Sequence, residues 1–193
     1  MSDFVLASGS PRRALLLSAA GYTFSVDPAD IDETQRDGER PSEMVLRLSH
    51  EKASTVLARR SGVVLAADTI VVRDDAILGK PRSSEDAVDI LTSLVGRSHL
   101  VLTGWSALDG SAERFGIAES VVTFANRSRD ELDEYVERVQ PLDKAGAYAL
   151  QGDDGWLVQK VTGSKANVMG LPLGEIAPAL ADLGIERSTP DRD

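Results

Sequence analysis

The sequence predicts an α/β chain, and three observations predict it. A short apolar strand, Phe4-Val5-Leu6-Ala7, passes through the small-residue turn Ser8-Gly9-Ser10 into an amphipathic run over residues 14–20. Residues 63–72 are almost continuously apolar, the character of a strand buried on both faces. Residues 98–108 and 114–124 alternate polar and apolar around Asp109-Gly110, the pattern of a hairpin.

The first helix has Ser10 at its N-cap and Pro11 at its first position, where a missing N–H costs nothing. Arg12 and Arg13 follow in the first turn and oppose the helix dipole. They are poorly placed to stabilise the helix and well placed beside an anion, which helix N-termini attract. The bland alternative is a capped helix with two solvated arginines. Gly21 stops the helix, and residues 22–26 read as a strand. Residues 27–40 form a polar loop carrying Asp30, Asp32, Glu33, Asp37 and Glu39, of a length that is often functional or mobile. Pro41 and Ser42 start a helix expected to run to about Arg60. Its apolar stripe includes Val45, Leu48 and Val56, and Lys52 lies on the same stripe. A lysine there either snorkels past the edge of the core or points into a site.

Asp68-Thr69 interrupts the apolar strand. A buried carboxylate is costly unless paired, hydrogen-bonded or metal-bound, so a functional role for Asp68 outweighs a structural one. Asp74-Asp75 turns the chain into Ile77-Leu78. Gly79-Lys80-Pro81-Arg82 then places two cations behind a strand, as phosphate ligands or as an ordinary basic loop. Ser83 with Asp86 caps a helix through Leu94, and Gly96 ends it. Ser128 with Glu131 forms a capping box for a helix to about Arg138. The small residues of Asp143-Lys144-Ala145-Gly146-Ala147-Tyr148-Ala149-Leu150-Gln151-Gly152 permit close backbone approach. Residues 156–161 read as a strand and residues 173–183 as a last helix, which Pro178 kinks or restarts. The charged tail, residues 185–193, is expected to fray. The length of 193 residues suits one domain, 1–193, with or without two lobes.

Composition narrows the function. The formal charge is −10, which argues against nucleic acid or an anionic membrane as partner. Aromatics at 5% leave little for base-stacking surfaces. The absence of cysteine removes thiol nucleophiles, thiolate metal sites and disulfides. Met1-Ser2-Asp3 leads into a strand with no basic leader, and no apolar run is long enough for a bilayer, so a cytoplasmic protein is expected. No P-loop motif is present, and no G-x-G-x-x-G follows a strand. His50 and His99 lack metal-ligand spacing and read as structural. There remain Ser8, Arg12, Arg13, Glu33, Lys52, Asp68, Lys80, Arg82 and Lys144. Cations recurring at strand-to-loop junctions of an acidic chain point to a triphosphate. The carboxylates could hold magnesium, and Asp68 could deprotonate or orient a water.

Together these blocks resemble the Maf family of nucleotide pyrophosphatases. Leu6-Ala7-Ser8-Gly9-Ser10-Pro11-Arg12-Arg13 is similar to its N-terminal signature, and Ala67-Asp68-Thr69 with Gly79-Lys80-Pro81 to its central one. Asp143-Lys144-Ala145-Gly146 through Gln151-Gly152, then Gly163-Ser164 and Gly170-Leu171-Pro172-Leu173, match its C-terminal blocks. The resemblance implies a mixed sheet flanked by helices, two lobes around a cleft as in inosine triphosphatases, and a homodimer. It implies hydrolysis of a nucleoside triphosphate to the monophosphate and pyrophosphate with Mg2+ or Mn2+. By position it makes Asp68 the proton acceptor, and it associates Ser8, Arg13, Glu33, Lys52 and Lys80 with phosphate or metal. Arg12, Thr69 and Gln151 match the positions that mark substrate preference, and the Lys144–Gly152 form resembles the branch acting on dTTP and UTP. One departure is Lys165-Ala166, where the family usually has an aromatic. The alternatives are an enzyme for modified purine nucleotides such as 7-methyl-GTP, and a nucleotide-binding regulator of septum formation without turnover.

Overall fold

The structure is a computed structural model that describes residues 4–188. The N-terminal Met1-Ser2-Asp3 and residues 189–193 of the expected tail lie outside the described residues. Among the described residues, seven strands and six α-helices follow in the order β1 (Phe4–Leu6), α1 (Pro11–Ala19), β2 (Ser25–Val26), α2 (Pro41–Leu57), β3 (Val63–Arg73), β4 (Ala76–Leu78), α3 (Ser84–Leu94), β5 (Ser98–Leu108), β6 (Glu113–Phe124), α4 (Arg129–Val139), β7 (Val158–Thr162), α5 (Lys165–Val168) and α6 (Leu173–Asp182). Two 3-10 turns, Pro141–Asp143 and Ala145–Ala147, lie between α4 and β7.

The strands form one mixed sheet in the order β2-β1-β3-β5-β6-β7, with β4 hydrogen-bonded to β3. β1 pairs in parallel with β2 and with β3, whereas β4 runs antiparallel to β3 and β7 antiparallel to β6. The fold class is therefore the mixed α/β one that the sequence predicts.

The chain divides into two compact units: Met1–Asp68, Thr103–Ala118 and Gly170–Asp193 in the first, Thr69–Leu102 and Glu119–Met169 in the second. In the first unit, alternate residues of β3 go to two cores. Val64 and Ala66 pack with Ala53 and Val56 of α2. Val63, Leu65 and Ala67 pack with Leu17 of α1 and Ile176 of α6. In the second unit, Leu91 and Leu94 of α3, Leu132 and Val136 of α4, and Val122 and Phe124 of β6 share a single core.

Most expected signals operate. Ser83 Oγ accepts the Asp86 N–H, and Ser128 with Glu131 closes a capping box. Asp74 and Asp75 both adopt left-handed φ in the turn before β4. Other expectations are corrected. Ser10 stands at the N-cap of α1 but makes no capping bond through its side chain. The strand expected over 22–26 is only Ser25–Val26, because the Tyr22 N–H closes α1 on Leu17 O. The strand expected from Trp156 starts at Val158, because the Asp153 carboxylate takes the Leu157 and Val158 N–H groups. α2 ends at Leu57 rather than near Arg60. Pro178 lies inside α6, which begins at Leu173, so of its two expected effects the restart of the helix is the one set aside. Ile185 is buried and its N–H donates to Leu180 O, while Ser188 N–H donates to Gly21 O.

Candidate active site

In the first unit, two periodicities meet. The alternation of β3 sends Asp68 to the same side as Val64 and Ala66, the side covered by α2. On α2, Leu48, Lys52 and Val56 are spaced one turn apart on the buried stripe. Lys52 Nζ accordingly donates to Asp68 Oδ1 at 2.6 Å. Glu33 Oε1 approaches the same ammonium at 2.7 Å. The Lys52 and Asp68 side chains are 9% and 10% exposed, while Glu33 is 49% exposed, so the triad opens to solvent on the Glu33 side. One ammonium between two carboxylates leaves a net charge of −1 facing outward, suited to a cation or to a proton leaving water.

The turn from β1 to α1 adds the second component. Ser8 is buried, and its Oγ accepts from Arg13 Nη1 at 3.1 Å and from Ser10 N–H at 3.2 Å. Arg13 Nε donates to Gly170 O at 2.8 Å, which fixes the guanidinium from its other edge. Burial lowers the pKa of Arg13 from its ordinary value. The Asp68 charge opposes that shift, the Arg12 charge adds to it, and the Glu33 charge opposes it. Arg12, Arg13, Glu33 and Asp68 therefore share one electrostatic field. A buried carboxylate that can take a proton lies with fixed cations that can stabilise an anionic oxygen.

The second unit carries the other predicted residues. Thr69 follows Asp68 in the chain and is half-buried. Lys80 is exposed, and Gly79 O before it accepts the Gly146 N–H, so the Lys80 loop is joined to the segment after Lys144. Gly146 has φ 71°, and a Cβ there would come within 2.8 Å of Val71 Cγ2, so this approach requires glycine. Arg82 lies on the surface, where its side chain and backbone N–H both bond Asp86 at the start of α3. Lys144 is paired with Asp143. Gln151 is exposed at the end of a segment held by two tyrosines. Tyr135 Oη accepts the Ala149 N–H at 3.1 Å, and Tyr148 Oη lies 3.1 Å from His99 Nε2. Lys165, the site of the departure, begins the short α5, which Ser164 caps from the Asn167 N–H.

Sequence reasoning missed Arg47 and Tyr135. Arg47 signals only through its spacing from Glu51, a helical i,i+4 pair. Tyr135 reads as an ordinary core aromatic. His99 is structural in the expected sense, buried against Phe124 and Tyr148. Among the described residues, no group of three or more His, Asp or Glu side chains is assembled for a metal, and no helix is long and apolar enough to cross a membrane.

Comparison with known proteins follows the same lines. Residues 3–183 match the family described as Maf-like protein. A dTTP/UTP pyrophosphatase of Myxococcus xanthus is 49% identical over 94% of this chain and 92% of its own. One of Syntrophus aciditrophicus is 44% identical over 93% of this chain and 89% of its own. Among solved structures, the Staphylococcus aureus Ham1 protein shares the fold at a TM-score of 0.51 and 16% identity, covering 94% of this chain and 98% of that one.

Proposed function

The chain belongs to the Maf-like protein family, and from that premise we propose that it hydrolyses nucleoside triphosphates, dTTP and UTP first among them, to the monophosphate and pyrophosphate. The observation that carries this reading is Lys52 held between Asp68 and Glu33, with Arg13 braced on Ser8 in the same unit. Asp68 accepts the proton of the attacking water. The water oxygen bonds to the α-phosphorus as the bond from that phosphorus to the α–β bridging oxygen breaks, and pyrophosphate leaves with that oxygen. Lys52 orients Asp68 through its hydrogen bond, and Arg13 and Arg12 offer charge to phosphate oxygens. Ser8 holds Arg13 and retains its own hydroxyl proton to donate.

The carboxylates fit a divalent metal of the kind held by one or two protein carboxylates plus substrate phosphates. Asp68 and Glu33 are two oxygen donors on one ammonium, and the described residues assemble no larger acidic group. Mg2+ or Mn2+ bound there would neutralise charge on the phosphates. In the second unit we assign Lys80 and Lys144 to phosphate, Arg82 to a weaker role behind its Asp86 pair, and Thr69 and Gln151 to recognition of the base. A homodimer acting in the cytoplasm belongs to the same reading, and the family resemblance supports it. The names of these relatives favour neither the purine reading nor a regulator without turnover. A turnover screen of nucleoside triphosphates with Mg2+ or Mn2+, read by pyrophosphate release, tests the reading. Orthophosphate and a diphosphate nucleotide as first products would replace it with γ-phosphate hydrolysis.

A further inference from the structure

Glu33 reaches Lys52 from residues 27–40, a stretch with no helix or strand. Irregular backbone of that length does not aim a carboxylate unless something fixes it. Its two ends are fixed differently. At the start, Arg59 and Arg60 both bond Asp27, and Arg59 also reaches Pro28 O at 2.9 Å. At the other end one guanidinium gathers the loop. Arg47 Nε and Nη2 grip both oxygens of Glu39 at 2.5 and 2.8 Å, and Nη1 bonds Glu51 Oε2 at 3.1 Å. Nη2 also donates to Thr34 O at 3.1 Å, the carbonyl one residue beyond Glu33. The Arg47 and Glu39 side chains are only 13% and 9% exposed, so water competes poorly for this grip. The Arg47 hydrogen bonds hold the Glu39 carboxyl at a pKa of about 2, so the clamp stays charged through the neutral range. The rest of the loop closes onto it. Arg36 N–H donates to Glu39 Oε2, Gln35 Nε2 to Glu39 O, and Thr34 N–H to Asp32 Oδ1.

Arg47 and Lys52 stand on the same helix, α2. The helix therefore supplies both the ammonium that Glu33 meets and the guanidinium that fixes the backbone beside Glu33. We infer that Arg47 is a positioning residue of the reaction centre: by clamping Thr34 and Glu39 it holds Glu33 on Lys52. Arg47 touches none of the reacting groups, and its effect passes through Glu33. A lysine could keep the charge but not the fork that meets a carboxylate and a carbonyl together.

The inference rests on the proposed centre at Lys52 and Asp68, and its test separates the two. Wild type, Arg47→Gln, Glu33→Gln and the double variant are compared for kcat and KM with dTTP, and for deuterium uptake over residues 28–38. Arg47→Gln is expected to lower kcat/KM by roughly ten- to a hundredfold, as loss of a supporting partner does. In the Glu33→Gln background the same change should cost less than about twofold, because the group it positions is already disabled. Equal costs in both backgrounds would overturn the inference, as would wild-type kinetics in Arg47→Gln. Should Arg47→Gln fail to fold, Arg47→Lys takes its place in the cycle. If wild type turns over no nucleotide, the functional reading fails. The clamp is then judged on exchange alone: faster uptake over residues 28–38 in Arg47→Gln sustains it, and unchanged uptake overturns it.

Discussion

Lys52 Nζ and Asp68 Oδ1 close an ion pair of 2.6 Å between a helix and a strand, both side chains nearly out of solvent. Each charge on its own would be costly to bury, and together they satisfy one another. Glu33 adds a second carboxylate to the same ammonium, so Lys52 does not depend on Asp68 alone. The Asp68 charge can therefore be removed while the Lys52 ammonium stays compensated.

Asp68→Asn is expected to fold and to lose turnover by about a hundredfold or more, the scale of a positioned proton acceptor. Asparagine fills the same space and can still accept from Lys52, and Glu33 keeps the ammonium compensated. The stability loss should stay below the roughly 3–5 kcal/mol of a buried pair broken outright. Thermal unfolding and kcat on the same preparation check both halves. A folded variant with near-wild-type turnover would return Asp68 to a structural role.

Gly104→Ala tests how tightly α2 is seated. A Cβ on Gly104 of β5 would stand 2.3 Å from Val45 O and 2.4 Å from Val45 C, atoms of the α2 backbone. No side chain can swing aside, so the helix itself must move, at a cost of about 1–3 kcal/mol. Because α2 carries Lys52, turnover should fall more than stability alone would explain. Equal melting temperatures for wild type and variant would show that α2 yields freely.

These two residues were legible in the sequence because each breaks a pattern. Lys52 stands on an apolar helical stripe and Asp68 in an apolar strand, and the periods of helix and strand bring the two exceptions together. Glu33 had no such signal, since residues 27–40 carry no period; it stood only as one of several acidic residues in a polar loop, and the family resemblance tied it to phosphate or metal. Arg47 was invisible for the opposite reason: a charged residue four before a glutamate looks like a solvated helix face. Its role comes from a contact with Thr34 that local sequence does not encode. The shortened strands failed on the same account. Asp153 and Leu17 supply hydrogen bonds that end the extended pattern at Val158 and at Tyr22, and such partners are set by tertiary position.

The second unit should carry a pH dependence through His99. Burial lowers its pKa to about 4 from 6.5. The unfolded chain therefore binds a proton between those values that the folded protein does not. Stability is full above about pH 6.5, falls as pH drops, and is fully lost from this source below about pH 4, a change on the order of 3 kcal/mol. His99→Gln, which can still meet Tyr148 Oη and cannot titrate, is expected to flatten urea-unfolding stability between pH 4 and 6.5. The same slope in both proteins would assign the effect to other groups.

Base recognition is the remaining expectation, and Gln151 carries it. Its side chain is exposed, while the segment before it is held by Tyr135 on the Ala149 N–H and by His99 on Tyr148. A glutamine amide offers one acceptor and a pair of donors. It can meet the N3–H of uracil or thymine and an adjacent keto oxygen together. Cytosine presents the reverse pattern, which a freely turning amide would match equally well, so discrimination requires a fixed orientation. Gln151→Ala is expected to raise KM for dTTP and UTP and to narrow their advantage over CTP, since a site built to hydrogen-bond a substrate group rejects the analogue that leaves it unpaired. The measurement is kcat/KM for UTP, dTTP and CTP on both proteins. An equal fall for all three would assign Gln151 to the scaffold of its turn, and unchanged rates would remove it from the site.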